Sequence, residues 1–408
     1  MAGLSSFLAL LVAASIWLVL RDGPYVAPPP TPPDSQIQPA AGAALLQDLA
    51  LAVRTGDLDA AAALASSDDA DAQEQLRDLV ANAEEIGLRE VSLRYLDERG
   101  GLDSEGEWPA TATLSLRFAG FDTGLATSEV QVAFSVAPSA VDDDSVSIAA
   151  LGGPASVPRA ATPVWFTDRV AVRRTPQTLV VAVDRAGRYS EMARSAVRVV
   201  QRVLRDWPGG LVVEVPASAA GVDAALGVEP GTFGNVAGVT ATVDGTGSSR
   251  APVHVFLNPE RIGELRPAGA QVVVSHEAAH VALDATSSSL PVWLAEGFAD
   301  YVALRDVTLP LTTTAGQIIR QVRREGTPRA LPSDADFDDA SEYFGAAYEA
   351  SWLACRLLAE RFGEGRLLRF YRQADGADEF APLFRRTFGL TEQQFTQQWR
   401  TALSDLAG

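Results

Sequence analysis

Gln271-Val272-Val273-Val274-Ser275-His276-Glu277-Ala278-Ala279-His280-Val281-Ala282-Leu283 decides how this chain is read. The protein has three histidines in 408 residues, and two of them stand four apart here with a glutamate after the first. On a helix, residues i and i+4 share a face one turn apart. Two imidazoles so placed can chelate one Zn²⁺, and the adjacent Glu277 can reach a water on that metal. The apolar flanks predict a buried helix, which suits a rigid site. Histidine is otherwise so scarce that chance is a poor explanation of the spacing.

A catalytic zinc site takes three protein ligands and keeps one position open. The remaining histidine, His254, lies in Pro252-Val253-His254-Val255-Phe256-Leu257, an alternating run that reads as a strand, so it is expected in a sheet. The better third ligand is Glu296, in Trp293-Leu294-Ala295-Glu296-Gly297-Phe298-Ala299-Asp300-Tyr301. Pro291 is placed to start this second helix, because its missing N–H costs nothing in a first turn. Glu296 and Asp300 again stand four apart and share a face. One carboxylate can bind the metal, and the other can accept the free ring N–H of a ligand histidine. The plainer reading, a solvated acidic face, is opposed by the apolar neighbours. Asp284 reads either as an exposed end-of-helix acid or as one more carboxylate supporting the site.

At these residues the chain resembles the gluzincin clan of zinc metallopeptidases. It is most similar to the bacterial peptidase MA-like domains and more distantly similar to the aminopeptidase N and thermolysin families. The resemblance implies His276, His280 and Glu296 as zinc ligands, Glu277 as general base, and Asp300 as partner of a ligand histidine, His276 being the closest match. It also implies an oxyanion-stabilising tyrosine in Tyr343-Phe344-Gly345-Ala346-Ala347-Tyr348, where Tyr348 matches and Tyr343 competes. Phe388-Gly389-Leu390-Thr391 with Phe395 and Trp399 resembles the closing helix of such a domain. The resemblance covers roughly Thr175 to Gly408. The chain departs from aminopeptidase N relatives at Gly234-Asn235-Val236-Ala237-Gly238-Val239-Thr240, which lacks their acidic residue, so endopeptidase action on a peptide or protein substrate is the default.

Composition bounds the alternatives. All 33 basic residues are arginine, 52 residues are acidic, and the net charge is −19. That excess of acid argues against nucleic-acid binding, which needs a positive field. The single cysteine, Cys355, sits in an apolar helical run and reads as a buried small hydrophobe, with no disulfide framework. Leu4 to Leu20 is almost wholly apolar and reads as a transmembrane anchor, with a cleaved signal segment as the rival. Ala27-Pro28-Pro29-Pro30-Thr31-Pro32-Pro33 then reads as an extended spacer. Together they predict a single-pass protein of the cell membrane with an extracytoplasmic catalytic domain.

The expected fold class is α+β. After the membrane segment (1–22) and Pro-rich linker (23–40), residues 41–155 read as an accessory domain of helices and a curved antiparallel sheet. Its helices are expected at Pro39 to Ser67, broken at Gly56-Asp57, and at Ala70 to Ile86. Its strands are expected at Glu90–Leu96, Ala110–Phe118, Ser128–Val136 and Val146–Ala150. The element order resembles the SnoaL-like and nuclear-transport-factor-like folds. A connector at 156–174, or a last strand of that domain, precedes a zincin-like metallopeptidase domain at 175–408, with a mixed-sheet lobe and then a mainly helical lobe. Strands are expected at Thr178–Val183, Leu211–Val215, Val236–Val243 and Val253–Leu257, with Val236–Val243 as the edge that lines the cleft. Asp334-Ala335-Asp336-Phe337-Asp338-Asp339 lacks EF-hand spacing and reads as a solvated loop. Two functions compete with the peptidase: a catalytically inactive zinc-binding interaction module, and a secreted binding protein with no metal.

Overall fold

Glycine and aspartate punctuate the first helices as their local chemistry requires. Pro39–Thr55 ends at Gly56 in the left-handed conformation, and Asp57 then caps Leu58–Ala62 by accepting the Ala60 N–H. Asp69 and left-handed Gly87 bound the next helix, Ala70–Ile86. A meander of four antiparallel strands follows: β1 (Leu88–Glu98), β2 (Glu107–Phe118), β3 (Ala126–Val136) and β4 (Val146–Leu151). Alternation along β2 turns Trp108, Ala110, Ala112, Leu114, Leu116 and Phe118 into the core.

The second sheet has five strands: β5 (Ala171–Arg174), β6 (Thr178–Ala182), β7 (Leu211–Val215), β8 (Gly238–Thr242) and β9 (Val253–Leu257), in the order β5-β6-β7-β9-β8. β6, β7 and β9 run parallel, and the two outer strands are antiparallel to their neighbours. One face of this sheet carries Val180, Ala182, Val213, Val215, Val255 and Leu257 into the main core. There it meets the helix Ala186–Val203 and the helix Pro267–Ala282, which holds the His276–His280 motif and is called the motif helix below. After Pro291 the chain is helical, through Val292–Leu304 (the carboxylate helix) and Phe344–Phe362 (the tyrosine helix) to Glu392–Ala407. That last helix starts at a Thr391/Gln394 capping box. The fold is therefore α+β, with a four-stranded antiparallel sheet, a mixed five-stranded sheet and helices.

The computed structural model describes residues 37–408 apart from 137–145, 154–159, 246, 248–249, 339–340 and 378. The apolar run Leu4–Leu20 and the Pro-rich stretch Ala27–Pro33 lie outside the described residues. Among the described residues no helix is long and apolar enough to cross a membrane. Gln38–Gly408 form one compact unit.

Three local expectations change. Ala171–Arg174, assigned to the connector, pairs with β6 as the outer strand of the second sheet. Trp165 and Asp168 of the same stretch are fastened to the helix Ala70–Ile86: Asn82 donates to their carbonyls at 2.9 and 2.7 Å, and Trp165 is buried. Ala219–Leu226 is a helix that its small residues did not announce; Ser218 caps it. Pro291 is the residue before the carboxylate helix and not part of its first turn.

Candidate metal centre

The motif helix begins with Pro267 in its first turn and ends at Ala282. His276, Glu277 and His280 are all buried on it. The carboxylate helix brings Glu296 and Asp300 to the same place. His276 Nε2 and His280 Nε2 lie 2.9 Å apart, and Glu296 Oε2 is 3.1 Å from the first and 3.3 Å from the second. His276, His280 and Glu296 are the group among the described residues whose ligand atoms converge closely enough to hold one ion. A tetrahedral Zn²⁺ with bonds of about 2.0–2.1 Å separates its ligand atoms by about 3.3 Å, so the triangle of donors has a suitable size.

The chemistry of the donors fits as well. Asp300 Oδ1 is 2.7 Å from His276 Nδ1. An N–H held there leaves the Nε2 lone pair pointing at the triangle. Burial opposes a charge on His276, but Asp300 and Glu296 outweigh it and lift its pKa well above the ordinary imidazole value. Burial likewise acts to raise Glu296, yet the two imidazoles hold its carboxyl far below the usual range. The centre is thus a place where positive charge is favoured. His280 differs from His276, because its Nδ1 is buried and has no hydrogen-bond partner among the described groups.

Glu277 faces the edge strand. Its Oε2 accepts the Thr240 hydroxyl at 2.7 Å, and a Cβ built on Gly238 would lie 3.0 Å from Glu277 Cγ. The expected edge strand therefore lines the cleft, and the glycine at 238 lets it pass close to the glutamate. The tyrosine helix closes the other side. The Tyr348 ring lies 6.0 Å from that of His276, and Phe337 and Phe344 pack edge-on against it at 4.9 and 5.2 Å. Burial first, and then the carboxylates of Glu296, Glu277 and Asp300, push the Tyr348 phenol well above its usual pKa, so it stays protonated as a donor. Tyr348 belongs to the first turns of its helix, not to the segment before it. The competing Tyr343 is turned away, its hydroxyl tied to Glu325 and Arg324.

Gly297 sets the distance between these walls. A Cβ there would fall 2.3 Å from the Ser351 carbonyl oxygen, so the carboxylate and tyrosine helices touch backbone to backbone. Glu296 precedes this contact, and Tyr348 lies one turn before Ser351. Of the other residues singled out in the sequence, Asp284 is exposed and follows the end of the motif helix with φ 51°. Cys355 is fully buried, and burial pushes its thiol well above the ordinary range. His254 is in β9, as expected, and away from the cluster. Asp334 and Asp336 are exposed, but Phe337 beside them turns inward onto Tyr348.

Sequence reading missed Thr240 as a partner of Glu277, and the aromatic pair around Tyr348. Thirty-seven residues separate Thr240 from Glu277, and no local pattern links them. The sequence signal that was available is the edge-strand reading, since alternate residues of such a strand must face the cleft. No known protein family matches the chain, and no curated protein is significantly similar to it.

Proposed function

We propose that this protein is a zinc-dependent metallopeptidase, acting as an endopeptidase on a peptide or protein substrate and displayed at the cell membrane by its N-terminal apolar segment. The observation that carries the reading is the convergence of His276 Nε2, His280 Nε2 and Glu296 Oε2 within 2.9–3.3 Å of one another. Glu277, a donor hydroxyl and an edge strand stand around that point. The resemblance of HEAAH and the Glu296–Asp300 helix to gluzincins supports it, as does a mixed sheet followed by helices, the order of a zincin-like domain.

His276, His280 and Glu296 would hold the ion, and Asp300 would fix the tautomer of His276 through its Nδ1–H. When bound, zinc supplies Lewis acidity, which brings the ionisation of water to about pH 7. Glu277 takes the proton from the attacking water and carries it to the leaving amine. The Tyr348 hydroxyl donates to the substrate oxygen as negative charge develops on it. Phe337, Phe344 and the apolar cleft wall exclude water from these transfers. β8 offers its free edge to an extended peptide, so main-chain hydrogen bonds orient the scissile bond.

Zinc stoichiometry, measured together with hydrolysis of a peptide library with and without chelator, tests the proposal. One equivalent of zinc and chelator-sensitive internal cleavage are expected. Failure to bind zinc under any loading condition, or cleavage indifferent to chelator, overturns it. Binding of one zinc with every peptide left intact would identify the catalytically inactive interaction module instead.

A further inference from the structure

β9 divides the molecule between its two faces. Val255 and Leu257 point into the core against the motif helix, while His254 and Phe256 point the other way. On that second face His254 is 1% exposed and lies between two carboxylates: Nδ1 is 2.6 Å from Glu214 Oε1 on β7, and Nε2 is 3.1 Å from Asp122 Oδ1 just beyond β2. Asp122 is itself fixed, because its Oδ2 accepts the Phe118 N–H at 2.7 Å. The Phe118 ring covers His254 at 4.8 Å. Burial acts to lower its pKa, but Asp122 and Glu214 together hold it up at about 9.

This chain of ions spans the β7–β9 joint. Its registered pairs are Val213↔Val255 and Glu214↔Phe256. Among the described residues β8 is an edge strand whose ladder partner is β9. The hairpin that forms the cleft wall is thus joined to the rest of its sheet through β9. Its register converts one side of β9 into the other: Ala241 pairs with His254, and Thr240 pairs with Val255, facing Glu277. The first sheet grips the same hairpin twice more. Ser128 donates to the Val243 carbonyl at 3.4 Å, and a Cβ on Gly124 would come within 2.4 Å of the Arg250 carbonyl oxygen. Apolar side chains could fill the same space with equal stability. An ion chain adds direction, since it defines where β9 sits relative to both partners.

We propose that the first sheet serves to hold the cleft wall β8 against Glu277, and that His254 is the positioning residue through which it acts. The catalytic value of this support rests on the metallopeptidase reading; the support itself does not.

Hydrogen exchange of the whole protein, followed peptide by peptide, tests it. Asp122→Ala is expected to raise exchange in β8 by about 10-fold or more through local opening, with β6 and β7 unchanged. His254→Gln is the second variant and is expected to do the same, which covers the case in which Asp122→Ala does not fold. Leu76→Ala, which loosens the helix Ala70–Ile86 without touching the link, is expected to leave β8 as protected as in the native protein. Unchanged β8 exchange in folded Asp122→Ala or His254→Gln overturns the inference, and so does equal exposure of β8 in Leu76→Ala. In the same samples zinc stoichiometry is expected to hold at one, with kcat/KM reduced. Absence of any hydrolysis by the native protein would instead count against the metallopeptidase reading and leave the exchange result standing.

Discussion

Two clusters in this protein are built from histidine and carboxylate, and they differ in where their lone pairs point. In the cleft cluster, His276, His280 and Glu296 turn three ligand atoms toward one spot. In the other, His254 turns its two nitrogens in opposite directions, each toward its own carboxylate. The first arrangement leaves an electron-rich point that a cation can satisfy. In the second, a doubly protonated ring donates one N–H to each carboxylate. Residue type and burial are nearly the same in both, so convergence is what separates a metal centre from a structural ion chain.

The sharpest way to break the comparison is to exchange the consequences of the two clusters. His280→Ala is expected to abolish zinc binding altogether, while His254→Gln keeps one equivalent; equilibrium dialysis with metal analysis distinguishes them. If His254→Gln also lost the metal, the two clusters would not be separate. Within the first cluster, Glu277→Gln should retain zinc and lower kcat by about 10²–10⁴-fold, the range for a removed general base, as read by cleavage of the best library peptide. A Gln variant with native turnover would remove Glu277 from the chemistry.

In the second cluster, removing Asp122 strands the His254 Nε2–H while Glu214 still pairs the ring. Asp122→Ala should cost about 1.5–3 kcal/mol in denaturant unfolding, the range for a lost hydrogen bond to a charged group, where a surface aspartate would cost less than about 1. The same cluster predicts a pH dependence. His254 has a folded pKa of about 9 against 6.5 for an ordinary imidazole. A raised folded value means that the folded state binds the proton more tightly. Its contribution is therefore complete below pH 6.5 and is lost as pH rises through about 9. Native protein should lose stability over that window relative to His254→Gln, and parallel curves for the two proteins would contradict the assignment. The smallest effect is expected at the helix contact: Gly297→Ala should cost about 1–3 kcal/mol as an overpacked site, seen as a lower thermal midpoint.

What could be read from the sequence follows from how local each signal is. The motif helix was legible because its message repeats every turn, and β9 was legible because Val253–Leu257 alternates. Glu296 and Asp300 could be placed by their own four-residue spacing and by proximity in sequence to the histidines. Tyr348 and Tyr343 could not be told apart, since only the packing of Phe337 and Phe344 decides which ring turns inward. The four-residue β5 carries two exposed arginines and so had no apolar pattern to announce it. The Asp122–His254 link joins residues 132 positions apart, and nothing near either one encodes the other. His254 read as an ordinary sheet residue, which is true of its backbone and silent about its charge.

The absence of a side chain at Gly297 has a mechanical consequence. With backbone resting on backbone at Ser351, the two helices cannot move closer, so that contact fixes how near the Glu296 and Tyr348 walls can come. Any narrowing of the groove around a chain must then fall to the opposite wall, the thin hairpin that carries Thr240.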